Sequence, residues 1–209
     1  LNRLRRDLAT ALDAKCAAQR TVAVAAIRNA LKPPQRSGKA GGEIKWSVKV
    51  AHAHALSGLQ PADWDGVTEA IVDISYDPVV PMTASLQKLA EAIGRERIRL
   101  ALPAITRQWE LAALKEKIAA FSGAGWNRWE FANLSGLTHL AGPDRASPDL
   151  ASDWSIYVIN RAAALQVIEM GAGSFVLSPE DDFDNIRELL TEFGERAVVP
   201  VYQDTPLFI

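Results

Sequence analysis

Short apolar, β-branched runs recur along most of this chain, at 44–50 (IKWSVKV), 70–75 (AIVDIS), 98–103 (IRLALP), 128–133 (RWEFAN), 154–159 (WSIYVI), 174–178 (SFVLS) and 197–202 (AVVPVY). Runs of this length bounded by turn residues are strand candidates. Between most of them apolar positions fall at helical spacing, which predicts helices over 82–94, 107–121, 161–170 and 181–193. Glycine closes several of these, at Gly94, Gly123, Gly171 and Gly194, as expected where a chain leaves a helix. A strand followed by a helix, repeated, builds a parallel sheet with helices outside it. Seven such units crowd an open three-layer sheet of this length and suit an incomplete (β/α)8 TIM-like barrel whose eighth unit is absent. An open doubly wound sheet is the second choice. Over 134–152, Gly136, Gly142, Pro143 and Pro148 break any long helix, so an elaborated loop is expected there.

The first 31 residues follow a different pattern. Leu4, Leu8, Ala11, Leu12 and Ala18, then Val22, Ala26 and Ile27, lie three or four apart, with Arg3, Arg5, Arg6, Asp7, Asp13, Lys15 and Arg20 between them. This predicts an amphipathic helix or helix pair, ended by Lys32-Pro33-Pro34 because proline lacks a donor and restricts the residue before it. Residues 35–42 read as a flexible basic linker, so the expected organisation is an N-terminal helix and linker at 1–42 and an α/β barrel-like domain at 43–209. Charge runs usually face water, and the functional alternative for this stretch is an RNA-contacting arm. A start at Leu1 with no apolar signal core, and an apolar Pro206-Leu207-Phe208-Ile209 end, suggest a segment of a longer protein with its final unit missing.

Composition mainly excludes. With 48% hydrophobic and 23% charged residues in 209, fibrous, disordered and disulfide-stapled classes are out. No apolar run reaches the ~18 residues of a membrane span. A formal net charge of −2 argues against a dedicated nucleic-acid binder while leaving room for a local basic patch. The single cysteine, Cys16, permits no intrachain disulfide and points to a reducing, cytoplasmic setting. It reads as a half-buried helix residue, since nothing nearby would lower its pKa.

In parallel α/β folds chemistry sits at the carboxyl ends of strands. The polar residues there are His52, His54, Tyr76, Asp77, Thr106, Arg107, Asn133, Asn160, Arg161, Ser178, Glu180, Tyr202, Gln203 and Asp204. His52 and His54 share a face if the strand persists, which makes them metal candidates with no third ligand specified. Ser178-Pro179-Glu180-Asp181 reads as a helix start, with serine at the N-cap and proline first, rather than as a nucleophile beside an acid. Asn160 reads as another N-cap. A Ser-His-Asp arrangement fails because there is no G-x-S-x-G elbow, and Gly41-Gly42 and Gly123-Ala124-Gly125 match no phosphate loop.

Longer strings in the second half are more distinctive. Leu100-Ala101-Leu102-Pro103-Ala104-Ile105 is followed by Trp129-Glu130-Phe131-Ala132-Asn133-Leu134-Ser135-Gly136 and Asp153-Trp154-Ser155-Ile156-Tyr157-Val158-Ile159-Asn160. Val176-Leu177-Ser178-Pro179-Glu180 and Val201-Tyr202-Gln203-Asp204-Thr205-Pro206-Leu207-Phe208-Ile209 complete the series. This succession resembles the peptidase U32 family, the collagenase-like protease group, and in particular the later part of its long, two-part members. The order of motifs over roughly 98–209 carries the likeness.

The resemblance implies a barrel-like α/β fold and one of two activities: peptide hydrolysis, or the hydroxylation of RNA or a small aromatic metabolite by relatives that hold an iron–sulfur cluster on cysteines. In those relatives the cluster cysteines begin just after the Pro-Leu-Phe-type segment, so no cofactor ligand is assigned to this segment. The expectation is a substrate-side or scaffold part, inactive alone, whose partners are the remainder of its parent chain and an RNA or protein substrate, with no membrane role. The alternative is a non-catalytic RNA- or partner-binding domain. Asn133, Asn160, Glu180 and Tyr202, which end neighbouring strands, are the pocket candidates; a metal-dependent protease built on His52 and His54 is a third option.

Overall fold

The structure, a computed structural model, describes residues 2–30, 44–140 and 147–203. The chain divides into two compact units, Leu1–Gly38 and Lys39–Ile209. In the first, helix α1 (Asn2–Ala30) is one uninterrupted helix rather than a pair. Its apolar stripe is open to solvent, with Leu4, Leu8 and Val22 each about 70% exposed, and Cys16 is exposed where a half-buried residue was expected. The predicted linker lies outside the described residues.

The second unit alternates strands and helices: β1 (Trp46–Val50), β2 (Val67–Asp73), α2 (Val79–Ile93), β3 (Ile98–Ala101), α3 (Leu111–Gly123), β4 (Arg128–Phe131), α4 (Leu134–Leu140), β5 (Asp149–Ser152), α5 (Arg161–Glu169), β6 (Ala172–Val176), α6 (Phe183–Phe193) and β7 (Ala197–Val198). All seven strands are parallel and lie in one sheet in sequence order. Such a sheet, each neighbour reached through a helix or loop crossover, is that of an incomplete (β/α)8 barrel.

Two contacts show how far the sheet curls. Lys49 on β1 meets Glu130 on β4 at 2.5 Å, although three strand spacings in a flat sheet would separate those strands by about 14 Å. Lys45, just before β1, pairs with Glu195, just before β7, at 2.8 Å, so the amino ends of the outermost described strands approach each other. That exposed pair is evidence of geometry and contributes little energy.

Register sorts the side chains. Val48, Ala70, Leu100, Trp129, Phe131 and Phe175 face outward against the helices, and Lys49, Arg99, Arg128, Glu130 and Ser174 share the inner face. Helix α2 answers with Met82, Leu86, Leu89 and Ile93, and α3 with Leu114, Ile118 and Phe121, which is the i, i+4, i+7 face of each. Fully burying side chains as large as Phe131 and Phe175 stabilises the fold by about 1.5–3 kcal/mol each. Gly94 ends α2 at φ +88, and Gly136 lets α4 approach closely, since a Cβ there would meet Leu102 and Phe131 at 3.1 Å.

Several expected boundaries move. The fifth strand is Asp149–Ser152, and the apolar run 154–159 forms a one-turn 3-10 helix, Trp154–Ile156, with Val158 making only an isolated bridge to Leu177. The elaborated loop expected over 134–152 contains α4 and β5. Strand β7 covers only Ala197–Val198, because Pro200 has no N–H with which to extend the ladder. Helix α6 is capped by Asp182, whose carboxylate accepts from the N–H groups of Asp184 and Asn185; Ser178 instead accepts from the N–H of Glu180 in the turn before it. Asn160 caps α5 as expected, accepting from the N–H of Ala163.

Candidate active site at the carboxyl end of the strands

Two charged clusters occupy the inner face. At the amino ends of the strands, Arg99 donates to Glu69 at 2.9 Å and pairs with Asp149 at 3.3 Å, and Arg128 pairs with the same two carboxylates at 2.7 and 2.8 Å. Arg99 is only 2% exposed and also donates to the carbonyls of Trp129 and Asp149. Two guanidiniums and two carboxylates balance. Burial opposes the charge of Asp149, but Arg99 and Arg128 outweigh it and hold the carboxyl below its usual range.

Toward the carboxyl ends, the Lys49 ammonium lies 2.5 Å from Glu130 and 3.2 Å from Asp153. Here one cation faces two carboxylates that are almost wholly buried. Burial pushes Glu130 above the usual carboxylate value, with the Asp153 charge adding to it and Lys49 and Arg99 pulling against it. Burial likewise disfavours the Lys49 charge, yet Glu130 and Asp153 more than offset it and hold the amine protonated. Lys49 is therefore an electrostatic anchor and not a nucleophile.

Directly beside this cluster is a cleft of about 460 Å³. Its walls include Ala104 and Ile105 after β3, Asn133 and Leu134 after β4, and Trp154, Ser155 and Tyr157 after β5. Ser155 joins cleft to cluster: its hydroxyl donates to the carbonyl of Ala132 at 2.6 Å and lies 3.3 Å from Asp153. Tyr157 is the only non-glycine at positive φ among the described residues, at +56°. That left-handed conformation places its ring edge-on to Trp154, with centroids 6.1 Å apart. Strain of this sort costs of order 1–3 kcal/mol and persists where surrounding structure enforces it.

Of the four pocket candidates, Asn133 lines the cleft, but its amide is committed to the scaffold. It donates to the carbonyls of Pro103 and Ala104 and accepts from Ser135 and the N–H of Gly136, which ties the β3 and β4 loops together. Asn160 serves as an N-cap, and Glu180 and Tyr202 face solvent, Tyr202 at 85% exposure. Of the four, Asn133 alone is among the residues that line this cleft. Lys49 and Glu130 are not among the strand-end residues because they lie inside β1 and β4, and Asp153 is not because the fifth strand, expected at 154–159, ends just before it at Ser152. The usable signal was a charge inside each of the apolar runs WSVKV and RWEF, which alternation directs to one face.

His52 and His54 form a second rim cluster. Strand β1 ends at Val50, so a persisting strand does not pair them; the turn into the 3-10 helix Ala53–Gly58 brings their rings to 5.3 Å. Asp77, on the loop after β2, completes the group: its carboxylate lies 2.8 Å from His52 Nδ1 and accepts from the N–H of Ala53 at 3.3 Å. Burial works against its charge, but those hydrogen bonds and the nearby imidazoles keep its pKa below the ordinary value. Lys117 on α3 braces the loop by donating to the carbonyls of Ile74 and Ser75, and burial lowers its pKa against the pull of Asp73 and Asp77.

These features define the class: a parallel β/α half-barrel whose carboxyl face carries buried charge, an aromatic cleft and a histidine–carboxylate cluster. No family model matches the chain, and no curated protein matches it. Among solved structures, a copper homeostasis protein, CutC, from Streptococcus agalactiae is similar, with a TM-score of 0.49 and 12% identity over 73% of this chain and 84% of that one. Among the described residues, no helix is long and apolar enough to cross a membrane.

Proposed function

We propose that this chain is the substrate-holding barrel domain of a U32-type protein and that the cleft after β3, β4 and β5 takes a planar aromatic group. One observation carries the reading: the three strings that resemble the family, 100–105, 129–136 and 153–160, converge in space to build that cleft. Trp154, Tyr157 and Ile105 offer an apolar slot for a ring. The surplus carboxylate of the Lys49–Glu130–Asp153 cluster, reached through Ser155, suits a ligand bearing a hydrogen-bond donor. On this reading the longer protein, whether a collagenase-like peptidase or an iron–sulfur-dependent hydroxylation enzyme, uses the cleft to hold its substrate, an RNA base or a small aromatic metabolite. A cytoplasmic setting belongs to the same reading and is supported by the lone Cys16.

The test is calorimetric titration with phenol, cytidine and a Gly–Pro-rich peptide. Saturable binding of a ring probe, weakened about ten-fold or more in Trp154→Ala, is expected. If neither ring binds, or Trp154→Ala binds them as well as the parent, the aromatic reading is wrong. Binding of the peptide alone transfers the argument to the peptidase arm.

A further inference from the structure

We propose that His52, His54 and Asp77 form a binding site for one divalent first-row transition-metal ion, with Zn2+ the representative ion and at least one coordination position open to solvent. The argument rests on geometry and donor chemistry. One ligand atom from each of the three residues falls within 4.8 Å of the other two. Ligands around a four-coordinate zinc sit about 3.3 Å apart, given metal–ligand distances of about 2.0–2.2 Å. The His52–Asp77 separation of 2.8 Å is already close to that, and the exposed His54 closes the rest by side-chain rotation.

Two imidazoles and one carboxylate are borderline nitrogen and oxygen donors, which select transition metals over Mg2+ or Ca2+. The supports that orient metal ligands are present. The N–H of Ala53 holds the second oxygen of Asp77, and Lys117 fixes the loop on which Asp77 rides. The His52 side chain is 44% exposed, so an ion has a direct path in, and three protein ligands leave a position for water or a substrate oxygen. An ion bound at His52 Nδ1 takes the place of the Asp77 hydrogen bond there, and the neutral imidazole keeps its one proton on Nε2. The cluster sits at the carboxyl ends of β1 and β2, the face where barrels place their chemistry. It uses none of the residues that line the aromatic cleft.

The experiment uses the untagged full chain, stripped with a chelator and titrated with Co2+ while visible d–d absorption is recorded, then back-titrated with Zn2+. One equivalent of Co2+, displaced by Zn2+, is expected. His54→Ala and Asp77→Ala should each weaken binding by about ten-fold or more. His139→Ala, which changes the remaining histidine, should leave it unchanged. Among the described residues the exposed His54 makes no side-chain hydrogen bond, so its variant tests the site without threatening the fold. Circular dichroism checks that Asp77→Ala remains folded. Absence of saturable Co2+ binding overturns the proposal, and so does binding that survives Asp77→Ala, which would indicate only a surface histidine pair.

Discussion

The two ends of the half-barrel interior are built from the same residue types and do opposite things with them. At the amino end, Arg99 and Arg128 face Glu69 and Asp149, charges cancel, and the guanidiniums also satisfy backbone carbonyls. At the carboxyl end, Lys49 faces Glu130 and Asp153, and one carboxylate is in excess in a place that water scarcely reaches. The first arrangement completes itself. The second is complete only with a proton or a ligand, which is how residues kept for function differ from residues kept for folding.

The largest effect that would break this contrast concerns the central cations. Arg99→Met strips the carbonyls of Trp129 and Asp149 of their buried donor and leaves Glu69 and Asp149 to Arg128 alone, and should lower unfolding free energy by about 3–5 kcal/mol in a denaturant titration. Lys49→Met strands two buried carboxylates, but its side chain is 37% exposed and Glu130 can take up a proton, so the expected loss is smaller, about 1–3 kcal/mol. If the two losses are equal, the clusters are energetically alike and the functional reading of the upper one weakens.

Acid sharpens the comparison because the two carboxylates respond with opposite sign. Asp149 has a folded pKa below 3.8, so its contribution is present above that value and is lost as pH falls through the folded pKa. Glu130 has a folded pKa above 4.5, so its ionised form opposes folding at higher pH, and that opposition fades as pH falls through the folded value. Glu130→Gln removes the surplus charge while Asp153 still answers Lys49. Its stability at neutral pH should stay within about 1 kcal/mol of the parent, and the stability gained by the parent on mild acidification should disappear. An unchanged pH profile in Glu130→Gln would show that this carboxylate carries no excess charge.

Much of the fold was legible in the sequence, and the exceptions have physical causes. Alternation of β-branched runs with helical spacing located six of the seven strands, because buried parallel strands must be apolar on their outer face whatever their inner face carries. The fifth was misplaced because DLAS is short and mostly small or polar, while the nearby WSIYVI looks far more strand-like. That apolarity serves the cleft and the packing of Val158 instead. The metal candidates His52 and His54 were visible as a pair. Asp77 stood among the strand-end residues, but joining it to them needed the β1–β2 register and the intervening turn, which no local pattern encodes.

The smallest expected effect is also the one that separates folding from function most directly. Tyr157 at φ +56 is strained, and glycine at that position would relieve the strain, so Tyr157→Gly should raise stability by about 0.5–1 kcal/mol after the entropy of the more flexible chain is subtracted. The same change removes one wall of the cleft. Binding of a ring probe should therefore weaken while the midpoint of unfolding rises. A stabilised variant that still binds the ring would mean that the strain is incidental to recognition. A destabilised variant would mean that the Tyr157 ring, packed against Trp154, contributes more to folding than its backbone costs. Only the pairing of higher stability with weaker binding is what a site held in tension by its scaffold should give, and no such pairing is expected anywhere in the balanced network at the amino end.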